Sequence, residues 1–189
     1  CARRRLFVQR SASACASEAL AAPAAAVFWA STGGSWAPEL SLFWDARGSH
    51  LDFSNPEAAA WWRERVSATI LGHGIAATWN DNNEYTIEDE DAVCCGFGQA
   101  AAIKLVRPLM ALLMCQASWR AQREHAPDDR PWLISRSGMP GMQRYVQTWS
   151  GDNYTSWETL RFNLQMGLGL ALSGCFNFGH DVGGFAGPP

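Results

Sequence analysis

Two aspartates occupy comparable places in this chain. Asp81 lies in "WNDNNE" (residues 79–84) behind the apolar run "GIAA", and Asp152 lies in "WSGDN" (149–153) behind "RYVQT". Each follows a tryptophan, Trp79 or Trp149, and each has polar neighbours. Two carboxylates that face one another beside aromatic walls can cleave a glycosidic bond. One protonates the leaving oxygen while the other stabilises or traps the oxocarbenium-like centre. Tryptophan faces are flat amphipathic platforms suited to sugars, and the chain has ten of them. A plainer reading fits the same residues: Asp after a strand is ordinary turn chemistry, and aromatics are mostly core. On the residues alone, both readings stand.

Other chemistries fit less well. Counted from Asp81 as a calcium loop, the fifth and sixth positions are Tyr85 and Thr86, where an oxygen ligand and Gly are needed. The run Glu88 to Asp91 reads as a solvated acidic face. No G-x-S-x-G elbow or zincin helix occurs, and the adjacent His180 and Asp181 cannot serve each other as triad partners. Six cysteines without C-x-x-C spacing read as buried free thiols, not as a zinc site or disulfide framework. No metal and no cofactor is therefore expected. A net charge of −3 gives no electrostatic footprint for nucleic acid or an anionic membrane. No apolar run reaches the roughly 18 to 20 residues of a membrane span. The basic and then apolar start resembles a secretory leader, but it opens on Cys1 and is interrupted by Pro23. A cytoplasmic setting is the working expectation.

The elements that must position the aspartates follow from periodicity and punctuation. Residues 1–42, rich in Ala, Arg and Ser, carry no sustained period and are left unassigned. "SNPEAAAWWRERVSATILGHG" predicts a helix capped by Ser54 or Asn55, with Pro56 in its first turn and Gly72 or Gly74 at its end. "GIAATW" predicts a buried strand, and residues 98–125 a long helix kinked or restarted at Pro108. "PWLIS" and "RYVQTW" predict two more strands. "TSWETLRFNLQMGLGLALSG" predicts a helix with Thr155 and Glu158 as a capping box, and "CFNFG" the last strand. Strands alternating with helices imply a parallel α/β sheet. Each strand ends in a polar or Gly-rich stretch, which is how a (β/α)8 barrel builds its site. No phosphate-binding glycine motif supports a doubly wound alternative. The expected fold is thus a partial (β/α)8 TIM barrel over residues 43–189, carrying the central to late strands.

"WNDNNE" (79–84), "RSGMPGMQRYVQTWSGDNYTSW" (136–157) and "GHDVGGF" (179–185), in this order, resemble successive signature segments of glycoside hydrolase family 31, the retaining α-glucosidases and their relatives. The resemblance covers roughly residues 43 to 187. It implies Asp81 as nucleophile and Asp152 as general acid/base. It also implies that Arg136 holds sugar hydroxyls, that Trp79 and Trp149 wall the sugar site, and that Asp181 and Phe185 support and line it. Asn82 departs from the Met that many members carry after the nucleophile, and so alters the wall beside the glycone. Asn83 and Glu84 are expected to orient the loop. Arg136 has a second reading as a structural ion pair, and His180 reads equally as a sugar-subsite contact or as a satisfied supporting group.

The implied activity is retaining, exo-acting hydrolysis of terminal α-glucosidic bonds, with α-linked glucosides or oligosaccharides as partners. An α-xylosidase, a transglucosylase and an incomplete carbohydrate-binding polypeptide remain as alternatives. A complete barrel of this kind needs about 250 residues. The chain alone is therefore expected to lack strands of a parent barrel and to have little activity.

Overall fold

A computed structural model describes residues 27–32, 35–43 and 46–187. Four strands, β5 (Ala77–Asn80), β8 (Trp132–Ser135), β9 (Gln147–Trp149) and β10 (Phe178–Gly179), form one sheet. All pairs are parallel and strand order follows chain order. A doubly wound sheet would reverse its order at a switch point, so this is an arc of a (β/α)8 barrel, as expected. Two helices cross over, Ile103–His125 (α2) between β5 and β8, and Trp157–Leu172 (α3) between β9 and β10. A short 3-10 turn, Met142–Arg144, is all that stands between β8 and β9.

The preceding helix, α1 (Pro56–Thr69), starts where Asn55 Oδ1 accepts the Glu57 N–H at 2.9 Å, with Pro56 at the first position. A 3-10 turn over Leu71–His73 follows, and Gly74 closes it in the left-handed region at φ 79°. Helix α2 begins later than its sequence suggests. Ala101–Ala102 (β7) is held in a hairpin ladder with Val93–Cys94 (β6), so those backbones are unavailable to the helix. The helix then runs through Pro108 as one element, without the expected restart. In α3 the cap is Ser156, whose Oγ accepts the Thr159 N–H at 3.0 Å. The expected Thr155 is not the cap: its N–H donates to the Ala186 carbonyl at 2.7 Å, and its Oγ1 packs against Gly184, where a Cβ would stand 2.6 Å away.

The described part of the unassigned segment holds strands. β1 (Trp29–Thr32) pairs antiparallel with β2 (Ser35–Pro38) and with β6, and β3 (Ser41–Leu42) pairs with β4 (Arg47–Gly48). The main core lies between this antiparallel layer, α1 and α2, around Phe28, Phe53, Trp61, Trp62 and Met110. Cys94, Cys115 and Cys175 are buried free thiols, but Cys95 is exposed, contrary to expectation. Past the end of β6 the chain turns at Cys95 into the 3-10 turn Gly96–Gly98, and Cys95 faces solvent there. Cys1 and Cys15 lie outside the described residues. No helix among the described residues is long and apolar enough to cross a membrane.

A buried polar layer sets the heights of the strands. Thr78 and Asn80 face α2, where Gln122 Nε2 donates to Thr78 Oγ1 at 2.8 Å and to the Trp132 carbonyl at 2.9 Å. Gln122 Oε1 accepts the Trp132 N–H at 2.8 Å, so one amide clamps both strands. Trp62 Nε1 donates to Ser118 Oγ (2.8 Å), which donates to Asn80 Oδ1 (3.2 Å). With alternate residues committed to α2, Trp79 and Asp81 must face the other way, into the barrel.

Candidate active site

Register brings the site together. Ala77 to Asn80 pair with Trp132 to Ser135, so Asp81 stands beside Arg136 just past the strand ends. Ser135 pairs with Thr148, and Trp149 pairs with Gly179. Asp81, Arg136, Trp149 and Gly179 therefore form one row across the inward face, at the C-terminal ends of four adjacent strands. One step lower, Trp79 reaches across to Trp149 with ring centroids 5.0 Å apart and planes at 82°. This edge-to-face pair is a continuous aromatic floor.

Arg136 is the hub. Its Nη1 lies 3.1 Å from Asp81 Oδ1 and 3.5 Å from Asp152 Oδ2. On its other side Nε donates to Glu84 Oε1 at 2.6 Å and Nη2 to Glu84 Oε2 at 3.0 Å, a bidentate pair. Nη2 also donates to Asn82 Oδ1. The Glu84 carboxylate, bound to the guanidinium, holds Arg136 above its usual value, and the charges of Asp81 and Asp152 add to this. Arg136 thus stays cationic wherever the fold survives. Because one nitrogen touches both aspartates, the two contact distances together cap the separation of those oxygens at about 6.6 Å. Arg136 and Asp81 are mostly covered, whereas the Asp152 side chain is 44% exposed toward the open mouth.

The loop after β5 is shaped by its asparagines. Asn82 sits at φ 51°, a left-handed conformation in which Asn is enriched. Its N–H donates to Asp81 Oδ1 at 2.9 Å, so Asn82 braces the carboxylate it follows. Asn83 is buried and joins the two strand exits. Its Nδ2 donates to Ser135 Oγ at 2.9 Å, and its Oδ1 accepts the Ser137 N–H at 2.9 Å. The orienting roles expected for Asn83 and Glu84 are what these contacts perform. The Glu84–Arg136 pair is new: "WNDNNE" includes that glutamate but does not indicate its partner, 52 residues downstream.

Asp152 hangs on the loop after β9. Gly151, at φ 76°, precedes it, and a Cβ there would stand 3.1 Å from Arg136 Cδ. Only glycine combines that backbone with so close an approach to the hub. Asn153 Nδ2 donates to Ser150 Oγ (2.6 Å) and to the buried Asn163 Oδ1 (2.7 Å), which fixes the loop against α3. The Asn153 carbonyl accepts the Phe185 N–H at 2.8 Å, tying in the loop after β10.

The side chains of Asp181 and Phe185 are not drawn into this network. Asp181 is half-buried and makes no ion pair among the described residues, and the Phe185 ring is 65% exposed beside the mouth. His180 points to the helix layer: its ring lies 5.8 Å from Phe178, and a Cβ on Gly167 of α3 would be 3.4 Å from its Nε2. It supports the fold there. The acidic run Glu88 to Asp91 is exposed, with Glu88 on Arg47 at 2.9 Å and Asp91 on Lys104. No group of three or more potential metal ligands occurs among the described residues.

A carboxylate pair at the C-terminal mouth of a parallel arc, floored by tryptophans, is the arrangement of a barrel glycosidase. Residues 16–189 match the family profile described as "Glycosyl hydrolases family 31 TIM-barrel domain". The chain belongs to glycoside hydrolase family 31. It is 32% identical over 149 residues to Alpha-glucosidase 2 of Bacillus thermoamyloliquefaciens, a match covering 76% of this chain and 19% of that protein. It is 34% identical over 152 residues to Neutral alpha-glucosidase AB of Mus musculus, covering 75% and 16%. Among solved structures, the family 31 alpha-glucosidase of Bacteroides thetaiotaomicron aligns with a TM-score of 0.67 at 30% identity, over 84% of this chain and 26% of that one. The glucosidase II alpha subunit bound to alpha3-Glc2 aligns with a TM-score of 0.74 at 24% identity, over 86% and 18%, which is a likeness of fold. The chain spans less than a fifth of the length of these two curated relatives.

Proposed function

We propose that this chain carries the nucleophile and the general acid/base of a retaining, exo-acting α-glucosidase. Asp81 attacks the anomeric carbon from the face opposite the leaving group. The bond from that carbon to the glycosidic oxygen breaks, its electron pair passes to the oxygen, and Asp152 supplies the proton. Water then adds to the same carbon, Asp152 takes its proton, and the ester to Asp81 breaks. Two inversions restore the α configuration. Arg136 keeps the attacking carboxylate aimed and binds sugar hydroxyls. Trp79 and Trp149 form the sugar floor, with Asn82, Asp181 and Phe185 beside it. No cofactor takes part.

The observation that supports this most is the contact of one Arg136 nitrogen with both Asp81 and Asp152. A cap of about 6.6 Å on that pair of oxygens accommodates the roughly 5 to 5.5 Å of a retaining pair. Similarity to α-glucosidases at about a third identity supports the glycone. As an isolated polypeptide, residues 1–189 leave β5 and β10 with one partner each among the described strands, so turnover is assigned to a longer chain with the remaining strands.

The test is anomeric NMR on p-nitrophenyl α-glucoside and α-xyloside with the full-length enzyme that carries this segment. An α-anomer formed first from the glucoside is expected. A β-anomer formed first would reject the retaining pair. Preference for the xyloside would move the assignment to an α-xylosidase, product on an added acceptor sugar to a transglucosylase, and binding without turnover to a non-catalytic role.

A further inference from the structure

Just beyond the chemistry, the chain passes through Tyr85 at φ 57°. A left-handed backbone at a bulky aromatic residue is strained, and it persists only where the surroundings impose it. Here they do so from several sides, and all lie outside the parallel sheet. The buried ring sits between Phe28, 6.2 Å away, and His50, 5.4 Å away. Its hydroxyl donates to the Leu51 carbonyl at 3.1 Å. Its own carbonyl accepts from Arg107 of α2, which also reaches the Ile87 carbonyl at 3.5 Å. His50 is backed in turn by Phe43, 4.8 Å away, and faces the buried Glu39 at 3.7 Å.

From this we infer that Tyr85 is a positioning residue for the reacting carboxylates, a strut by which the antiparallel layer sets the loop bearing Asp81. The inference rests on the function proposed above. Its path is short. Tyr85 follows Glu84, whose two oxygens hold Arg136 at 2.6 and 3.0 Å, and Arg136 contacts Asp81 and Asp152. Were residue 85 to relax to negative φ, the peptide after Glu84 would turn and carry that carboxylate off the guanidinium. Asp81 would then lose the hold of Arg136, leaving only the Asn82 N–H to brace it, although no residue touching substrate had changed. The strand–loop segment has no other side-chain anchor of this size before Ile87. The antiparallel layer, remote from the barrel mouth, thereby acquires a part in catalysis.

The experiment uses the full-length enzyme that carries this segment, with active sites counted by a covalent glycosyl trap. Tyr85→Phe keeps the ring and should stay within about threefold of wild type. Tyr85→Leu removes the ring contacts and resists positive φ. It should lower kcat per titrated site about 100-fold, since misplacement by about 1 Å costs that much, with KM changed less than about threefold. His50→Ala withdraws one side of the clamp and should lower kcat about tenfold, and it serves if Tyr85→Leu does not fold. A crystal structure of whichever variant folds should show Arg136 Nη1 farther from Asp81 Oδ1 than 3.1 Å, a readout that needs no turnover. Fewer titratable sites with unchanged kcat per site, or an unmoved Arg136–Asp81 contact, would overturn the strut. Absence of α-glucoside turnover in wild type would instead sink the proposed function, leaving the crystallographic readout to judge Tyr85.

Discussion

Replacing Arg136 by lysine separates charge from geometry at the hub. The charge stays, but a lysine ammonium has one nitrogen, whereas the guanidinium uses three to reach Glu84, Asp81 and Asp152. A single nitrogen cannot hold the Glu84 pair and the aspartates together, so about two charge-assisted contacts are lost. In a covered setting each would be worth roughly 1.5–3 kcal/mol. Glu84 and Asp152 are 42% and 44% exposed, so solvent screening reduces this to about 1 kcal/mol apiece. The expected loss of about 2 kcal/mol corresponds to roughly thirtyfold in kcat/KM on an aryl α-glucoside. Glu84→Gln removes the carboxylate end of the same contact and should cost about tenfold. The double variant should be clearly better than the product of the two losses, with a coupling above about 0.5 kcal/mol, because both changes break one interaction. Arg136→Lys within threefold of wild type, or losses that simply multiply, would refute the view that the fork positions the carboxylates.

Further outcomes follow from the site and its surroundings. Asp81→Ala should abolish hydrolysis, and azide should give the β-glycosyl azide by a single inversion, read by NMR; α-azide from this variant would contradict the nucleophile assignment. Asp152→Ala should spare activated aryl glycosides relative to disaccharides, because a good leaving group needs little protonation, and equal losses on both would count against its role. Gly151→Ala should lower thermal stability by about 1–2 kcal/mol and kcat/KM about tenfold, since the new Cβ strains φ 76° and presses on Arg136 Cδ. Burial pushes the Cys115 thiol up to about 11, so at pH 8 it should alkylate far more slowly than the exposed Cys95, as read by peptide mass spectrometry. The same shift implies stability falling between about pH 9 and 11, where the unfolded thiol ionises and the folded one does not, and Cys115→Ala should flatten that slope.

The parallel arc was legible because its signals are local. A cap and proline before "EAAAWW", a polar stretch after each apolar run, and glycine after the last turn mark α1, β5, β8 and β9 within a few residues. Signals that need a distant partner were not legible. β1 lies next to β6 by pairing Trp29 with Val93, and strands of four and two residues are too short to show a period of their own. Ala101 and Ala102 read as helix on propensity, but the ladder with Cys94 and Val93 outweighs a few tenths of a kcal/mol per residue. Thr155 is the cap that the spacing to Glu158 suggests, but its backbone is tied to Ala186, 31 residues downstream, and Ser156 caps α3 instead.

The site divides in the same way. Asp81 and Asp152 could be nominated because each sits in a recognisable segment behind a strand, and the sheet register then places Asp81 beside Arg136 without further information. What nomination could not supply is how the two acids are held. Arg136 reaches Glu84 across 52 residues and Asp152 across 16, so the charge balance of the mouth depends on three loops at once. Glu84 is expected to orient the loop, but its residue type alone does not set it apart from the acids that follow it. It differs from Glu88 only in being delivered, by a strained Tyr85 and a buried Asn83, to the one arginine that both aspartates share. In this segment the motif points to the two carboxylates, whereas the contacts that hold them near one another run through Arg136 and Glu84, from loops far apart in the chain.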